Sequence, residues 1–183
     1  MFELKLTVPD ILPRVERDQS KYDPELDNFG SVLRDICEDL ETAGVEFVAR
    51  VCSEMYWPVT VRTDLLVVIE QLGDTLASLA QEQMGKLEFY EQGIEQVVLL
   101  IPRNGELLVQ RSDLITGTTS QTESISMSRE LVLKELTDLA DDFLRASRAC
   151  CEQLTSHPWF VEWATGLQQQ VEKLRRPNLS SAQ

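Results

Sequence analysis

The chain has 183 residues, 43% of them apolar, which is enough for one domain whose core needs neither a metal ion nor a disulfide. Its 31 acidic and 17 basic residues give a formal net charge of −14. This balance argues against nucleic-acid binding, because phosphates are contacted through clustered lysine and arginine. The surplus is concentrated in residues 1–100, which carry 20 acidic and 8 basic side chains. It either speeds encounter with a basic partner or only keeps the protein in solution.

Hydrophobic spacing predicts the first strand and the first helix. Residues 2–8 alternate apolar and charged side chains, as a half-buried strand does. Asp23-Pro24-Glu25 is typical of a helix start, with a capping side chain, a proline and an early acid. Apolar residues follow at helical spacing up to a stop at Gly44: Leu26, Phe29, Leu33, Ile36, Cys37 and Leu40. The opposite face is predicted to display acidic residues: Asp35, Glu38, Asp39 and, beside them, Glu41.

The middle of the chain carries strand, helix and hairpin patterns. Residues 45–51 predict a second strand, and a second helix is predicted from Asp64 to about Gly85. Three extended segments follow, at 86–91, 94–101 and 106–111. Asn104-Gly105 lies between the last two and suits a tight hairpin, because both residues tolerate positive φ.

The last third of the chain is predicted to be mainly helical. Residues 112–126 are rich in Ser and Thr and predict a mobile loop. One helix is predicted from about Ser128 to Leu154 and another from Ser156-Pro158, with a flexible tail at 175–183. The order β-α-β-α-β-β-β-α-α predicts an α+β fold in one domain spanning 1–174. We expect a single mixed, mainly antiparallel sheet of about five strands, covered by about four helices.

The sequence predicts a cytoplasmic protein. The opening residues lack the pattern of a secretory signal, and even the longest apolar runs, such as Val97 to Ile101, are far short of the roughly 20 residues that span a bilayer. Four cysteines show no Cys-x-x-Cys spacing: Cys37, Cys52, Cys150 and Cys151. We therefore expect free thiols in a reducing compartment and no membrane contact.

Two polar features have ordinary structural interpretations. His157 is the single histidine and stands before Pro158 at a predicted helix start. The sequence has no Gly-x-Ser-x-Gly motif whose serine this histidine could activate. Three acids share a helix face with Lys134 and Arg145 at pairing distance: Asp138, Asp141 and Asp142. This face is predicted to be charge-paired and solvated rather than a metal site, because it offers no looped backbone oxygens.

Two further clusters could be catalytic or redox-active only if the fold gave them a pocket or a charged neighbour. Glu88, Glu91 and Glu95 could act as paired acid and base if a pocket enclosed them, since Glu91 and Glu95 flank the Gly93 turn. Cys150-Cys151 has no charge partner in view that would lower a thiol pKa, so both thiols are predicted to be buried and inert. The sequence therefore assigns no catalytic residue, metal ligand or cofactor.

Aromatic residues near the acidic half are the predicted contact sites. Tyr56, Trp57 and Tyr90 lie in or near loops, where they either anchor a partner or pack at the edge of the core. Trp163 falls on an apolar stripe and is predicted to be core. We take Asp35, Glu38, Asp39 and Glu41 as steering residues. The predicted contact residues are Tyr56, Trp57, Tyr90 and Glu91.

Short strings between Val45 and Ser112 carry a family resemblance. They are Val45-Glu46-Phe47, Trp57-Pro58-Val59, Asp64-Leu65-Leu66, Glu70-Gln71-Leu72, Phe89 through Glu95, and Arg111-Ser112. Together they resemble small bacterial immunity proteins of polymorphic or contact-delivered toxins. The resemblance covers a little over a third of the chain. It implies a cytoplasmic protein that binds and neutralises one cognate toxin.

Three functions remain open at this point. The leading hypothesis is a non-enzymatic immunity protein that occludes the active site of a basic toxin with its acidic half. The second is an acidic secretion chaperone or adaptor that shields an effector and exposes an apolar groove or dimer face. The third is an enzyme that uses the glutamates near Gly93. The oligomeric state, monomer or homodimer, stays open.

Overall fold

The structure, a computed structural model, describes residues 1–16, 22–90, 95–113 and 122–175. Within these ranges the chain forms six strands and five α-helices, so the predicted α+β class is confirmed. The described strands make two antiparallel sheets, of two and four strands, and the predicted single sheet of about five strands is wrong. There is one helix more than the four expected, because a predicted helix divides at Cys151.

The first sheet follows directly from alternating side chains. Strand β1 (Phe2–Thr7) pairs with β2 (Glu46–Val51), and their apolar side chains face the core. On the outer face, Glu3 lies opposite Arg50 and the two form an ion pair at 2.6 Å. Cys52 adopts φ 56° directly after β2 and ends the strand. Both predicted strands are confirmed.

The second sheet is a meander of four strands in sequence order. The strands are β3 (Gly85–Phe89), β4 (Gln96–Arg103), β5 (Glu106–Asp113) and β6 (Glu123–Ser128). Asn104 and Gly105 have φ of 50° and 85°, which confirms the predicted hairpin turn between β4 and β5. Strand β6 pairs with β5, so the loop predicted for 112–126 is wrong over residues 123–126. The centre of that predicted loop, 114–121, lies outside the described residues.

Helix α2 explains why the two sheets stay separate. A π-helical turn (Val61–Leu65) leads into α2 (Leu66–Ala80), which lies along the outer edge of β3. The Gln71 amide donates to the Glu88 carbonyl at 2.9 Å and accepts from its N–H at 2.8 Å. The Thr75 hydroxyl donates to the Lys86 carbonyl at 2.7 Å. Because side chains of α2 occupy the outer edge of β3, this edge does not pair with the first sheet.

The start of helix α1 (Phe29–Thr42) corrects a sequence prediction. Asp23-Pro24-Glu25 forms a turn, because the Glu25 N–H donates to Asp23 Oδ1 at 2.9 Å and the Leu26 N–H to the Asp23 carbonyl at 3.0 Å. Asn28 caps the helix five residues later by accepting from the Gly30 N–H. Leu26, predicted to lie on the apolar stripe, is therefore 83% exposed.

The remaining helices complete one contiguous apolar core. They are α3 (Arg129–Cys150), the short α4 (Glu152–Thr155) and α5 (Pro158–Arg175). Helix α3 packs on β1, and α5 packs on α1, α2 and α3. Arg175 ends α5, and the rest of the predicted tail lies outside the described residues. In the described parts of the chain, no helix has both the length and the apolar content to cross a bilayer.

Candidate functional site

The predicted acidic face of α1 is largely engaged by its own neighbours. Arg62, in the π-helical turn, forms an ion pair with Glu38, and its backbone N–H donates to the Glu41 carboxylate at 3.3 Å. Asp35 accepts from the Tyr22 hydroxyl at 2.8 Å. Glu41 is the one exposed side chain of the four predicted steering residues. Most of this face therefore holds α1 against the π-helical turn and the Tyr22 segment.

Asp39 departs most from its predicted position. It is 4% exposed, so the expected display of its carboxylate on an open helix face is wrong. Helix α3 covers this part of α1, with the Cys150 thiol 4.0 Å from the Asp39 carbonyl. Helical spacing placed Asp39 opposite the main apolar stripe, but the position of α3 decides its exposure.

The loop after β2 presents an aromatic residue in a fixed setting. The Trp57 N–H donates to the Ala49 carbonyl at 2.9 Å, and the Trp57 ring packs edge-on against Phe89 at 5.1 Å. Tyr56 is 60% exposed, with the Arg50 guanidinium 4.5 Å above its ring. Trp57 thus anchors the loop in the core, whereas Tyr56 faces solvent.

The other predicted contact residues lie at the end of β3. Tyr90 directly follows Phe89, which contacts Trp57, and its side chain is 53% exposed. Arg111 lies 5.8 Å from the Trp57 ring and forms an ion pair with Glu123 at 3.2 Å. Glu91 lies outside the described residues. Tyr56 and Tyr90 are therefore the predicted contact side chains that remain accessible.

A groove between α1, α2 and α5 was not predicted. Two adjoining hollows of about 640 and 520 Å³ share Asn28, Phe29 and Trp163. Their apolar lining includes Phe29, Ala77, Trp159, Trp163 and Leu167. Four carboxylate residues complete the lining: Asp27, Glu70, Asp74 and Glu162. Of the described residues, no lysine, arginine or histidine lines either hollow, and we call this feature the acidic groove.

Aromatic contacts hold the floor of the acidic groove in place. Trp163 stacks on Phe29 with ring centroids 4.9 Å apart and meets Phe143 edge-on at 6.0 Å. Such pairs each contribute about 0.5–1.5 kcal/mol beyond their buried area. Trp163, predicted to be core, is half-buried and forms part of the groove wall. The floor is therefore apolar and already ordered.

At two positions in the groove, no steric contact within the protein explains why the residue is glycine. Gly73 in α2 and Gly166 in α5 have nothing within 4 Å of the position that a Cβ atom would take. By contrast, Gly85 lies against α2, where a Cβ would come within 3.0 Å of the Thr75 side chain. A glycine inside a helix costs about 1 kcal/mol relative to alanine. Both helices carry this cost where they border the same open space.

Electrostatics within the acidic groove differ from residue to residue. Partial burial raises the pKa of the Glu70 carboxyl, with the Arg34 charge opposing the shift. Its Oε1 comes within 3.1 Å of a Cβ placed on Gly30, which brings this carboxylate to the N-terminal turn of α1. Hydrogen bonds from the Asp23 N–H and the Ser31 side chain lower the pKa of Asp27. A cation entering the groove would therefore meet one carboxylate that loses its proton more readily, Asp27, and one that is easier to protonate, Glu70.

The charged helix face is paired as predicted, with one change of partner. Lys134 contacts Asp138 at 2.5 Å, and Arg175 contacts Asp141 at 2.6 Å. Arg145 pairs with Asp142 rather than with Asp141, its predicted neighbour at i−4. No group of three or more candidate metal ligands occurs among the described residues.

His157 and the cysteines occupy structural positions. His157 Nδ1 accepts from the Trp159 N–H at 3.3 Å at the start of α5. All four cysteines are free, which confirms the thiol prediction. Cys150 and Cys151 are buried as predicted, and burial raises the pKa of the Cys150 thiol.

The glutamates near Gly93 are only partly described. Glu88 forms an ion pair with Lys86 at 2.6 Å, and its backbone is held by Gln71. Glu95 is exposed, whereas Glu91 and Gly93 lie outside the described residues. The enzymatic hypothesis for this cluster therefore stays a prediction.

Comparison with protein-family models, with curated proteins and with solved structures gives no match to this chain.

The sequence contains a weak signal of the acidic groove. Gly73 and Gly166 stand inside apolar helical patterns, and Asp74 and Glu162 lie close to them along the chain. The packing of α2 beside α5 brings the two glycines to one opening, and sequence spacing carries no information on that packing.

Proposed function

We propose that this protein is a non-enzymatic binding protein that captures and neutralises a basic protein, in the manner of a toxin-immunity protein. The acidic groove carries the proposal. It combines an ordered aromatic floor with four carboxylate residues, and no described basic residue lines it. The resemblance of residues 45–112 to immunity proteins adds support, and this stretch includes Glu70 and Asp74 of the groove.

The groove suits tight binding for two physical reasons. Carboxylates that line the groove attract a basic surface and raise the association rate, and the effect weakens as salt is added. Aromatic side chains that lose water on contact slow dissociation, and tryptophan is among the residues that contribute most to interfaces. Tyr56 and Tyr90 offer a further contact surface outside the groove.

The test is neutralisation of a defined partner. A toxin-like protein encoded next to this gene would be co-expressed with this chain, and the toxicity of that protein would be measured. Calorimetry would then measure the affinity between the two proteins. We expect protection, and we expect Glu162→Lys to weaken both protection and affinity. Glu130→Lys is the matched control, because Glu130 is also an exposed helical glutamate but lies outside the groove. Equal loss in the two variants, or no binding by the unmodified chain, would contradict the proposal.

A secretion chaperone or adaptor is the second candidate, and the outer face of the four-stranded sheet favours it. Val97, Leu99 and Ile101 alternate with buried residues of β4, and Leu108 lies opposite Ile101. These side chains form a partly exposed apolar strip. In the same co-expression experiment, an adaptor would raise the amount of stable partner and leave its toxicity intact.

A further inference from the structure

We propose that the acidic groove receives a basic amphipathic α-helix of the partner, with large apolar side chains seated over Gly73 and Gly166. This inference rests on the proposed function and adds the form and chemistry of the segment that is bound. Its starting point is the contrast among the six described glycines.

Four of these glycines are explained by their own surroundings. Gly44 and Gly105 have φ of 85°, a conformation that side chains other than glycine rarely adopt. A Cβ on Gly30 would come within 3.1 Å of Asn28 Oδ1, and one on Gly85 within 3.0 Å of Thr75 Cγ2. Gly73 and Gly166 have neither reason, and both line the same groove. Their missing side chains leave space that an incoming side chain can fill.

The walls of the groove favour a helix over an extended segment. An extended peptide gains affinity when its backbone pairs with an open strand edge. The groove is bordered by three helices, α1, α2 and α5, and none of them offers an open strand edge. A bound helix satisfies its own backbone hydrogen bonds and presents side chains three and four residues apart to a groove of this kind.

The rim determines the charge of the bound helix. Asp74 and Glu162 are exposed, and neither forms a salt bridge with any residue in the described ranges. Glu70 lines the same hollow as Asp74 and places its carboxylate at the N-terminal turn of α1. Lysine or arginine side chains flanking an apolar stripe would meet these carboxylates while the stripe contacts Trp163 and Phe29. The matching segment is therefore basic on its flanks and apolar along its centre.

The first test uses a defined probe with the full chain. An 18-residue helical peptide of leucine and lysine, capped at both ends, is titrated by calorimetry and compared with a leucine and glutamate peptide of the same pattern. We expect binding of the lysine peptide alone, with backbone amide shifts in NMR spectra confined to α1, α2 and α5. Equal binding of the two peptides, or shifts spread over the whole surface, would overturn the proposal.

The second test fills the groove without removing charge. Gly73→Leu and Gly166→Leu should each weaken the lysine peptide at least tenfold, while the melting temperature stays the same or rises because leucine is the better helix former. Ala149→Leu is the matched control, since it places the same leucine side chain at an exposed position on α3, and it should change affinity less than twofold. Unchanged affinity in both glycine variants would overturn the proposal.

The partner itself separates failure of this inference from failure of the proposed function. If Glu162→Lys abolishes partner binding while both glycine variants retain it, the groove acts through charge alone and the inference is wrong. If the unmodified chain binds the lysine peptide but no basic partner, the proposed function is wrong. A concentration-dependent dimer that Gly73→Leu abolishes would assign the groove to a second copy of this chain and overturn the inference.

Discussion

The acidic face of α1 and the acidic groove carry similar residues but differ in what surrounds them. On α1, Arg62 neutralises Glu38 and contacts Glu41, and Asp39 is buried under α3. In the groove, the carboxylates surround an apolar floor, and no described basic residue is among the lining. Acidic residues on one helix face therefore do not define a docking surface. The contacts made by the neighbouring elements decide which charges remain available to a partner.

The largest expected effect separates a structural aspartate from an available one. Asp39→Lys should destabilise the fold by about 2–4 kcal/mol, because it forces a longer charged side chain into a buried site. Asp74→Lys changes the same residue type at an exposed position of α2 and should stay within about 0.5 kcal/mol. Urea unfolding measures both variants. Comparable stability of the two would remove the distinction between the surfaces.

Association kinetics test the same contrast through charge. Glu162→Lys should slow association with the proposed basic partner by about tenfold at low salt and flatten its salt dependence, because it reverses a charge on the proposed docking surface. Glu38→Lys should change the rate much less, since Glu38 is already paired with Arg62. Stopped-flow measurements at several salt concentrations give both rates. A larger effect at Glu38 would return the docking surface to α1.

Glycine substitutions sharpen the contrast without a partner. Gly73→Ala and Gly166→Ala should each stabilise the protein by up to about 1 kcal/mol, because the added methyl group meets open space in a helix. Gly85→Ala should instead cost about 1–3 kcal/mol, since its Cβ would press on the Thr75 and Leu79 side chains. Thermal unfolding ranks the three variants. Destabilisation at Gly73 would show that the groove position is needed for folding.

The smallest expected effect is a pH dependence at Glu70. Its pKa is raised in the folded state by partial burial, so the folded protein binds the proton more strongly than the unfolded chain does. The stability contributed by this group therefore falls as the pH rises from the unfolded pKa through the folded one. Glu70→Gln cannot ionise and should gain stability relative to the unmodified chain between pH 4 and 7. Urea unfolding across this range gives the trend, and a loss with rising pH would contradict the assignment.

Local patterns predicted the elements in which side-chain periodicity and turn chemistry agree. The helix predicted from Asp64 to about Gly85 has five leucine and isoleucine residues at helical spacing, and all five are buried: Leu65, Ile69, Leu72, Leu76 and Leu79. The Asn104-Gly105 hairpin formed because positive φ is a local requirement. The start of α1 was mispredicted, since an Asp23 side-chain bond stabilises a turn that competes with the helix. Strand β6 was missed because β5 supplies its backbone partners, and its own serine-rich composition is typical of a loop.

The candidate site was less predictable than the fold. Exposure of Tyr56 and Tyr90 agrees with their selection as contact residues, whereas Asp39 is buried. The acidic groove uses Asp27 and Asn28 before α1, Asp74 in α2, and Glu162 with Trp163 in α5, and these positions are far apart along the chain. The spacing of residues along a short stretch of chain does not show which distant residues come into contact. Only the packing of the three helices brings them to one opening.

The sequence by itself determined the periodic elements, the hairpin turn, the free thiols and the negative charge, because each depends on neighbouring residues or on composition. Tertiary structure decided that α2 occupies the β3 edge and keeps two sheets apart, that Arg62 and α3 engage the acids of α1, and that Gly73 and Gly166 open into one groove. The physical reason is that burial and ion pairing depend on residues that are distant in sequence but close in space. Local sequence patterns do not show which of these distant residues meet.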